Sequence, residues 1–176
     1  MIRQATSDDL RAIEAFLPPI LKEMEAVGND QWSAAYPTRQ DFARDVAEGS
    51  LFVEVGEQVR GMVCLNLEEP PEYAPLPWAI TAPSLVLHRM AVGPSARGQG
   101  VAHAMLAFAD EHARRLGTGY LRSDTYSKNP VMNGLFAAHG WTFRGTLRFP
   151  GRAHDFRAYD KVVGSALPSA HARTPT

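Results

Sequence analysis

Apolar positions recur along the chain with two periods, and the switches between them mark out its elements. Ile2 to Ala5 predicts a short opening strand. Thr6, Ser7, Asp8 and Asp9 then read as a helix start, with a capping side chain and acids in the first turn. Leu10, Ile13, Leu17, Ile20, Leu21 and Met24 follow at helical spacing, with Pro18-Pro19 expected to kink or split that helix. Gly28 to Pro37 reads as a loop carrying Trp32 and Tyr36. Thr38 to Asp41 resembles a capping box opening a short helix, with Phe42 and Val46 on one face and Gly49 at its end. Leu51 to Val55 and Val59 to Leu67 predict a hairpin around Gly56-Glu57-Gln58. After a Pro- and Glu-rich loop, Glu68 to Pro83, Leu85 to Val92 predicts a strand.

A second long helix should start near Gly98 to Gly100. Its buried face would carry Val101, Met105, Phe108, His112 and Leu116, and it should stop at Gly117. Tyr120 to Thr125 predicts a strand. Asn129-Pro130 reads as N-cap and first helical residue of a helix that ends before Gly140 and buries Val131, Leu135 and Phe136. Trp141 to Phe149 and Phe156 to Val163 close the pattern as two strands. The order β-αα-βββ-α-β-α-ββ implies an α/β (α+β) fold, a mixed central sheet flanked by helices. Residues 1–164 form one domain in this reading, and 165–176, rich in Ala, Pro, Ser and Thr, read as a flexible tail.

Composition narrows the function classes. The 176 residues are 45% hydrophobic and 21% charged, with a net charge of −1, so nothing points to nucleic acid or an anionic membrane as partner. No apolar signal core follows the N-terminus and no apolar run reaches membrane-spanning length, so a soluble cytoplasmic protein is expected. The single Cys64, inside an apolar run, reads as a buried small hydrophobe. His103 and His112 stand nine apart on one helix, not four, so no metal site is read there. Arg114, Arg115 and Arg122 read as a solvated face.

One segment carries chemistry. Arg97-Gly98-Gln99-Gly100-Val101-Ala102 lies between a strand and a helix. Free N–H groups at a helix start attract phosphate oxygens, glycine lets a ligand approach the backbone, and Arg97 adds a fixed charge. A Walker loop is excluded because Gln99-Gly100 replaces its Lys and Ser/Thr. A dinucleotide fingerprint fails because His103 stands at its third glycine.

Leu87 to Val92 followed by Arg97 to Ala102 resembles motif A of the GNAT N-acetyltransferase superfamily. Downstream, Asn129, Leu135, Phe136, Gly140 and Trp141 match that family's N-x-x-A-x-x-L-Y-x-x-x-G-F in register. Asp124 to Pro130 and Phe149 to Arg152 resemble one group of small bacterial-type members whose acceptors are mostly undefined. The resemblance implies acetyl-CoA as cofactor, with Met90, Ala91 and Val92 pairing with the pantetheine arm. Arg97, Gly98, Gln99, Gly100, Val101 and Ala102 would cradle the pyrophosphate, with Asn129 and Phe136 also at the cofactor. It implies a small-molecule or peptide amine as acceptor, and it leaves a homodimer open. Phe136 departs from the pattern: most members carry a Tyr there to protonate the leaving thiolate, which Phe cannot do.

An acceptor ammonium must lose a proton before it attacks a thioester. His88 is the candidate base, placed by strand alternation on the same face as Val86 and Met90. The alternative for His88 is a core histidine hydrogen-bonded to backbone. Glu54, Glu68 and Glu69 are rival bases, each also readable as solvated surface. Tyr126 is a candidate acid, or a packing residue. Trp32, Tyr36 and Trp78 are candidates for an acceptor pocket that attracts an ammonium through aromatic faces. Two other functions stay open: a non-catalytic acyl-CoA sensor, suggested by Phe136, and a nucleotide-binding enzyme using Gly98 and Gly100.

Overall fold

The expected order of elements is the observed one. The computed structural model describes residues 1–164. Its strands are β1 (Ile2–Gln4), β2 (Leu51–Val55), β3 (Val59–Asn66), β4 (Leu85–Val92), β5 (Tyr120–Tyr126), β6 (Thr142–Leu147) and β7 (Phe156–Val162). Its helices are α1 (Leu10–Ala26), α2 (Arg39–Ala47), α3 (Val101–Leu116) and α4 (Pro130–Ala138). The strands form one sheet in the order β1-β2-β3-β4-β5-β7-β6. All neighbours are antiparallel except β4 and β5, which are parallel. The expected tail from residue 165 lies outside the described residues.

Each sheet face has its own core. On one, Ile13, Leu17 and Ile20 of α1 and Phe42 of α2 pack on Leu51, Val53, Met62 and Cys64. On the other, Val101, Met105, Leu106 and Ala109 of α3 pack on Phe52, Val63, Leu87 and Leu121. Gly61 permits this second contact: a Cβ there would lie 2.8 Å from the Met105 methyl and 2.9 Å from the Ala91 carbonyl oxygen. A third cluster, with Tyr73, Val86, Tyr126 and Phe156, lies beneath the loop between β3 and β4.

Several local expectations change. Helix α1 is not split: Pro18 and Pro19 both face solvent, where the carbonyls they free can reach water, while Ile13, Leu17 and Ile20 hold the opposite face to the sheet. The buried stripe of α3 is rotated from the expected one, running through Leu106, Ala109 and Ala113, with Leu116 at 52% exposure. The small alanines bring the helix close to the sheet, and Phe108 and His112 move to its flank, where their rings stack on each other. Val131 is 72% exposed rather than buried. Arg122 is not on a solvated face. It is 6% exposed, lies over the rings of Trp78 and Tyr120, and bonds Glu69 and the Ile80 carbonyl.

Arg89 and Asp45 join β4 to α2 through a bidentate pair, Nε and Nη2 to the two carboxylate oxygens at 2.8 and 2.7 Å, with the side chains only 9% and 1% exposed. Asp45→Ala leaves that guanidinium buried without its partner and is expected to cost about 3–5 kcal/mol. Urea unfolding measures it, and adding Arg89→Met should recover most of the loss, since it removes the stranded charge.

Candidate active site

The central feature is a fork between the two parallel strands. β4 pairs with β5 only over Leu85–Leu87 against Leu121–Ser123, although β4 continues to Val92 and β5 to Tyr126. Past the fork, β4 stays with β3 and β5 stays with β7. Among the described residues, the β5-facing backbone groups of His88 to Val92 therefore have no strand partner. A bulge falls at this point, where Met62 pairs with Ala91 but Cys64 pairs with His88, and Arg89 has φ +44°. A cleft of about 1250 Å³ opens from the fork.

The bulge corrects the expected alternation. His88 shares the face of Cys64, its partner on β3, and of Val86, but Met90 packs with the α3 core on the opposite face. His88 and Arg89 thus both lie on the face away from α3, Arg89 reaching Asp45 of α2 and His88 reaching Asn66 and Glu68, and the main chain from Met90 to Val92 runs along the cleft.

At one end of the cleft stands the start of α3. Gly98 and Gly100 adopt φ of +71° and +78°, so the chain turns there in a conformation that favours glycine. The first intrahelical bond is donated by Ala104 to the Gly100 carbonyl, so the N–H groups of Val101, Ala102 and His103 have no helical acceptor. All three residues line the cleft, as do Arg97, Gly98 and Gly100. Together with the helix dipole they make an anion cradle. Arg97 Nη1 reaches across to Glu23 of α1 at 2.6 Å, an exposed pair that a phosphate can displace at little cost. Gln99 does not line the cleft. Its amide is held by the Ser95 carbonyl and by Arg60.

Asn129 caps α4, its Oδ1 accepting from the Met132 N–H at 3.0 Å, and both Asn129 and Phe136 line the cleft. Phe136 is wholly buried between Trp141 and Tyr159. His103 also meets His139, Nδ1 to Nε2 at 2.7 Å.

The other end of the cleft is aromatic and polar. Trp32 and Tyr36 line it, with the Tyr36 hydroxyl accepting from Arg89 Nη1 at 3.1 Å. Trp78 does not: its indole donates to the Tyr73 carbonyl and its ring lies under Arg122, so the cation it attracts is an internal one. Tyr126 is also away from the cleft, fully buried against Phe156. Burial and the neighbouring Asp30 carboxylate push its phenol up to about 12, which makes it a poor acid. Glu54 is outside as well, tied to Arg60 and the N-terminal amine, with Arg60 the main reason its carboxyl sits below the usual range. Glu68 and Glu69 line the cleft, and Glu69 is bonded to Arg122 and Ser84.

His88 lines the cleft with Nε2 at 3.1 Å from Asn66 Oδ1 and 3.2 Å from the Glu68 carbonyl oxygen. Both partners are acceptors, so Nε2 carries the proton and only Nδ1 has a free lone pair. Burial, with the Arg89 charge beside it, lowers its pKa to about 4.

Asp124, absent from the sequence candidates, lines the cleft across the fork from His88. The signal that could have found it is the β5 alternation, which puts Arg122 and Asp124 together on one face of a central strand, where polar groups need partners.

Comparisons with known proteins agree with this geometry. Residues 13–141 match the family described as acetyltransferase (GNAT) family. A GNAT acetyltransferase structure from Streptococcus agalactiae superposes with TM-score 0.82 at 24% identity, covering 92% of this chain and 94% of that one. A ribosomal-protein-alanine N-acetyltransferase from Brucella melitensis gives 0.67 at 24% identity, with 92% and 99% covered. The yncA protein of Salmonella typhimurium, solved with its cofactor acetyl-CoA, gives 0.65 at 19% identity, with 97% and 98% covered. No curated protein matches the chain. Among the described residues no helix is long and apolar enough to cross a membrane. With a family match over most of its length and the strand fork beside a glycine-turned helix start, the chain belongs to the acetyltransferase (GNAT) family, whose acyl donor is acetyl-CoA.

Proposed function

We propose that this chain moves the acetyl group of acetyl-CoA directly to a primary amine, with both substrates bound in the one cleft. The observation that carries this is the fork. It places unpaired β4 backbone between an anion cradle at one end and an aromatic, polar chamber at the other. The cofactor pyrophosphate would sit on the N–H groups from Gly98 to Ala102, with Arg97 exchanging Glu23 for a phosphate. The pantetheine amides would take the place of the missing β5 partner along Met90 to Val92, and Asn129 and Phe136 would flank the arm. The amine would enter past Trp32 and Tyr36. Holding thioester and amine together in one cleft removes most of the entropic cost of their encounter.

The missing tyrosine at Phe136 fits this reading, because a thiolate is a weak base, with a pKa of about 8.5, and can leave without an acid. The same residue supports a second reading, a sensor that binds acyl-CoA without turning it over. Thiol release separates the two.

His88 is a poor general base in this setting. Its Nε2–H is committed to Asn66 and Glu68, and its remaining nitrogen has lost basicity. We assign it to shaping the acceptor wall.

Calorimetric titration with acetyl-CoA should give saturable binding in the micromolar range that Gly100→Glu abolishes. The glutamate would place a negative charge in the anion cradle and add strain at φ +78°. NAD should not bind. Absence of acetyl-CoA binding to the unaltered protein would remove the cofactor site and the transfer reading with it.

For His88, the expectation is that His88→Gln keeps turnover within about tenfold, less than the ~10²–10⁴-fold that loss of a general base costs. Steady-state thiol release measures this, and a hundredfold fall would restore His88 as the base.

A further inference from the structure

The fork leaves one titratable side chain on each of its arms, both at the cleft wall. Leu87 pairs with Ser123, and the next residues along the two parting strands are His88 and Asp124. Both project on the sheet face that carries Trp32, Tyr36 and the loop between β3 and β4, away from the α3 core. His88 is held as a donor. Asp124 is held differently: its Oδ2 accepts from the Tyr73 hydroxyl at 2.7 Å, and no N–H or O–H of the described residues bonds its Oδ1. Asp124 is half-buried and lines the cleft wall. One oxygen is thus anchored from below and the other is offered to whatever occupies the fork.

We propose that Asp124 takes the proton from the acceptor ammonium, with Tyr73 as the positioning residue that aims its carboxylate. This rests on the acetyl-transfer reading above. The step balances as follows. The ammonium N–H proton passes to Asp124 Oδ1, and the freed nitrogen lone pair forms the N–C bond to the thioester carbonyl carbon. The C–S bond then breaks with its electron pair on sulfur. The second proton lost by nitrogen goes to the thiolate, and Asp124 returns its own to solvent through the open cleft.

The electrostatics suit the task. Burial raises the Asp124 carboxyl to about 6, against the lowering effect of the Tyr73 hydroxyl and with a smaller upward push from Glu72. The nearby Glu69 and Arg122 neutralise each other, and His88 across the fork is uncharged at neutral pH. Asp124 is therefore ionised at pH 7 with a carboxyl more basic than usual, while His88 has lost basicity. Tyr73 is fixed in turn: it is 1% exposed, and its carbonyl accepts from the Trp78 indole at 2.8 Å.

The test uses the full chain with saturating acetyl-CoA and two probe nucleophiles, 2-phenylethylamine, which is an ammonium at neutral pH, and hydroxylamine, which is largely unprotonated there. Asp124→Asn should cut thiol release with 2-phenylethylamine by about a hundredfold or more and with hydroxylamine by less than about tenfold, leaving the acetyl-CoA Kd unchanged. Carboxyl-carbon NMR, assigned with the same variant, should show Asp124 titrating near 6. Tyr73→Phe should move the acid limb of kcat/KM for 2-phenylethylamine to higher pH, because the bond that favours the carboxylate is gone. A merely structural Tyr73 would lower Tm and leave that limb in place. An Asp124→Asn enzyme near the original rate on 2-phenylethylamine, or an Asp124 carboxyl titrating below about 4.5, within the ordinary carboxylate range, would overturn the assignment while leaving acetyl transfer intact. Acetyl-CoA binding with no thiol release to either probe would overturn the transfer reading itself.

Discussion

Two parallel strands that start out paired cannot separate without stranding backbone hydrogen-bonding groups, and a buried group without a partner is costly. The parting of β4 from β5 after Leu87 and Ser123 is the constraint on which the site depends. It survives because each strand is held from its outer side, β4 by β3 and β5 by β7. The stranded groups face a cleft where water or a ligand satisfies them. The bulge at Arg89 belongs to the same device, since a non-glycine residue at φ +44° needs its surroundings to hold it. The pair with Asp45 does so.

The bulge also allocates the chemistry. By breaking alternation it puts His88 and Arg89 on one face and sends Met90 to the other. Arg89 is then spent on Asp45 and Tyr36, and its charge, next to a buried imidazole, takes basicity from His88. On the opposing strand Asp124 has a hydroxyl and, among the described residues, no cation as its direct partner, so burial raises its pKa instead. Two groups at one fork thus diverge in character because their neighbours differ.

The loop from Glu68 to Pro83 closes one side of the cleft, and its fixation is internal. Arg122 binds Glu69 and Ile80 while stacking on Trp78 and Tyr120, and Asp160 accepts from Ala79, Tyr120 and Arg144. A Pro- and Glu-rich stretch that the sequence marks only as a loop is therefore tied to the central strands by buried polar groups. These contacts give the cleft a firm wall beside Asp124.

Period, capping residues and glycines determined the element order by themselves, because they act within a few residues of chain. Thr38 with Asp41, Asn129 with Pro130, and Gly117 after Leu116 each end or begin a helix where the residue types require it. The glycine turn before α3 was legible for the same reason, and with it the family. What the sequence could not determine was which side chains meet across strands and loops. Trp78, Tyr126 and Glu54 carry suitable groups yet lie off the cleft, and Gln99 sits inside the motif but turns away. The face of Met90 depended on one extra residue in β4, which pairing with β3 alone reveals. Asp124 acquired its setting from Tyr73, fifty-one positions earlier in the chain. Local signals fix backbone conformation, while side-chain electrostatics follow from burial and from distant neighbours, and only the tertiary structure decides those.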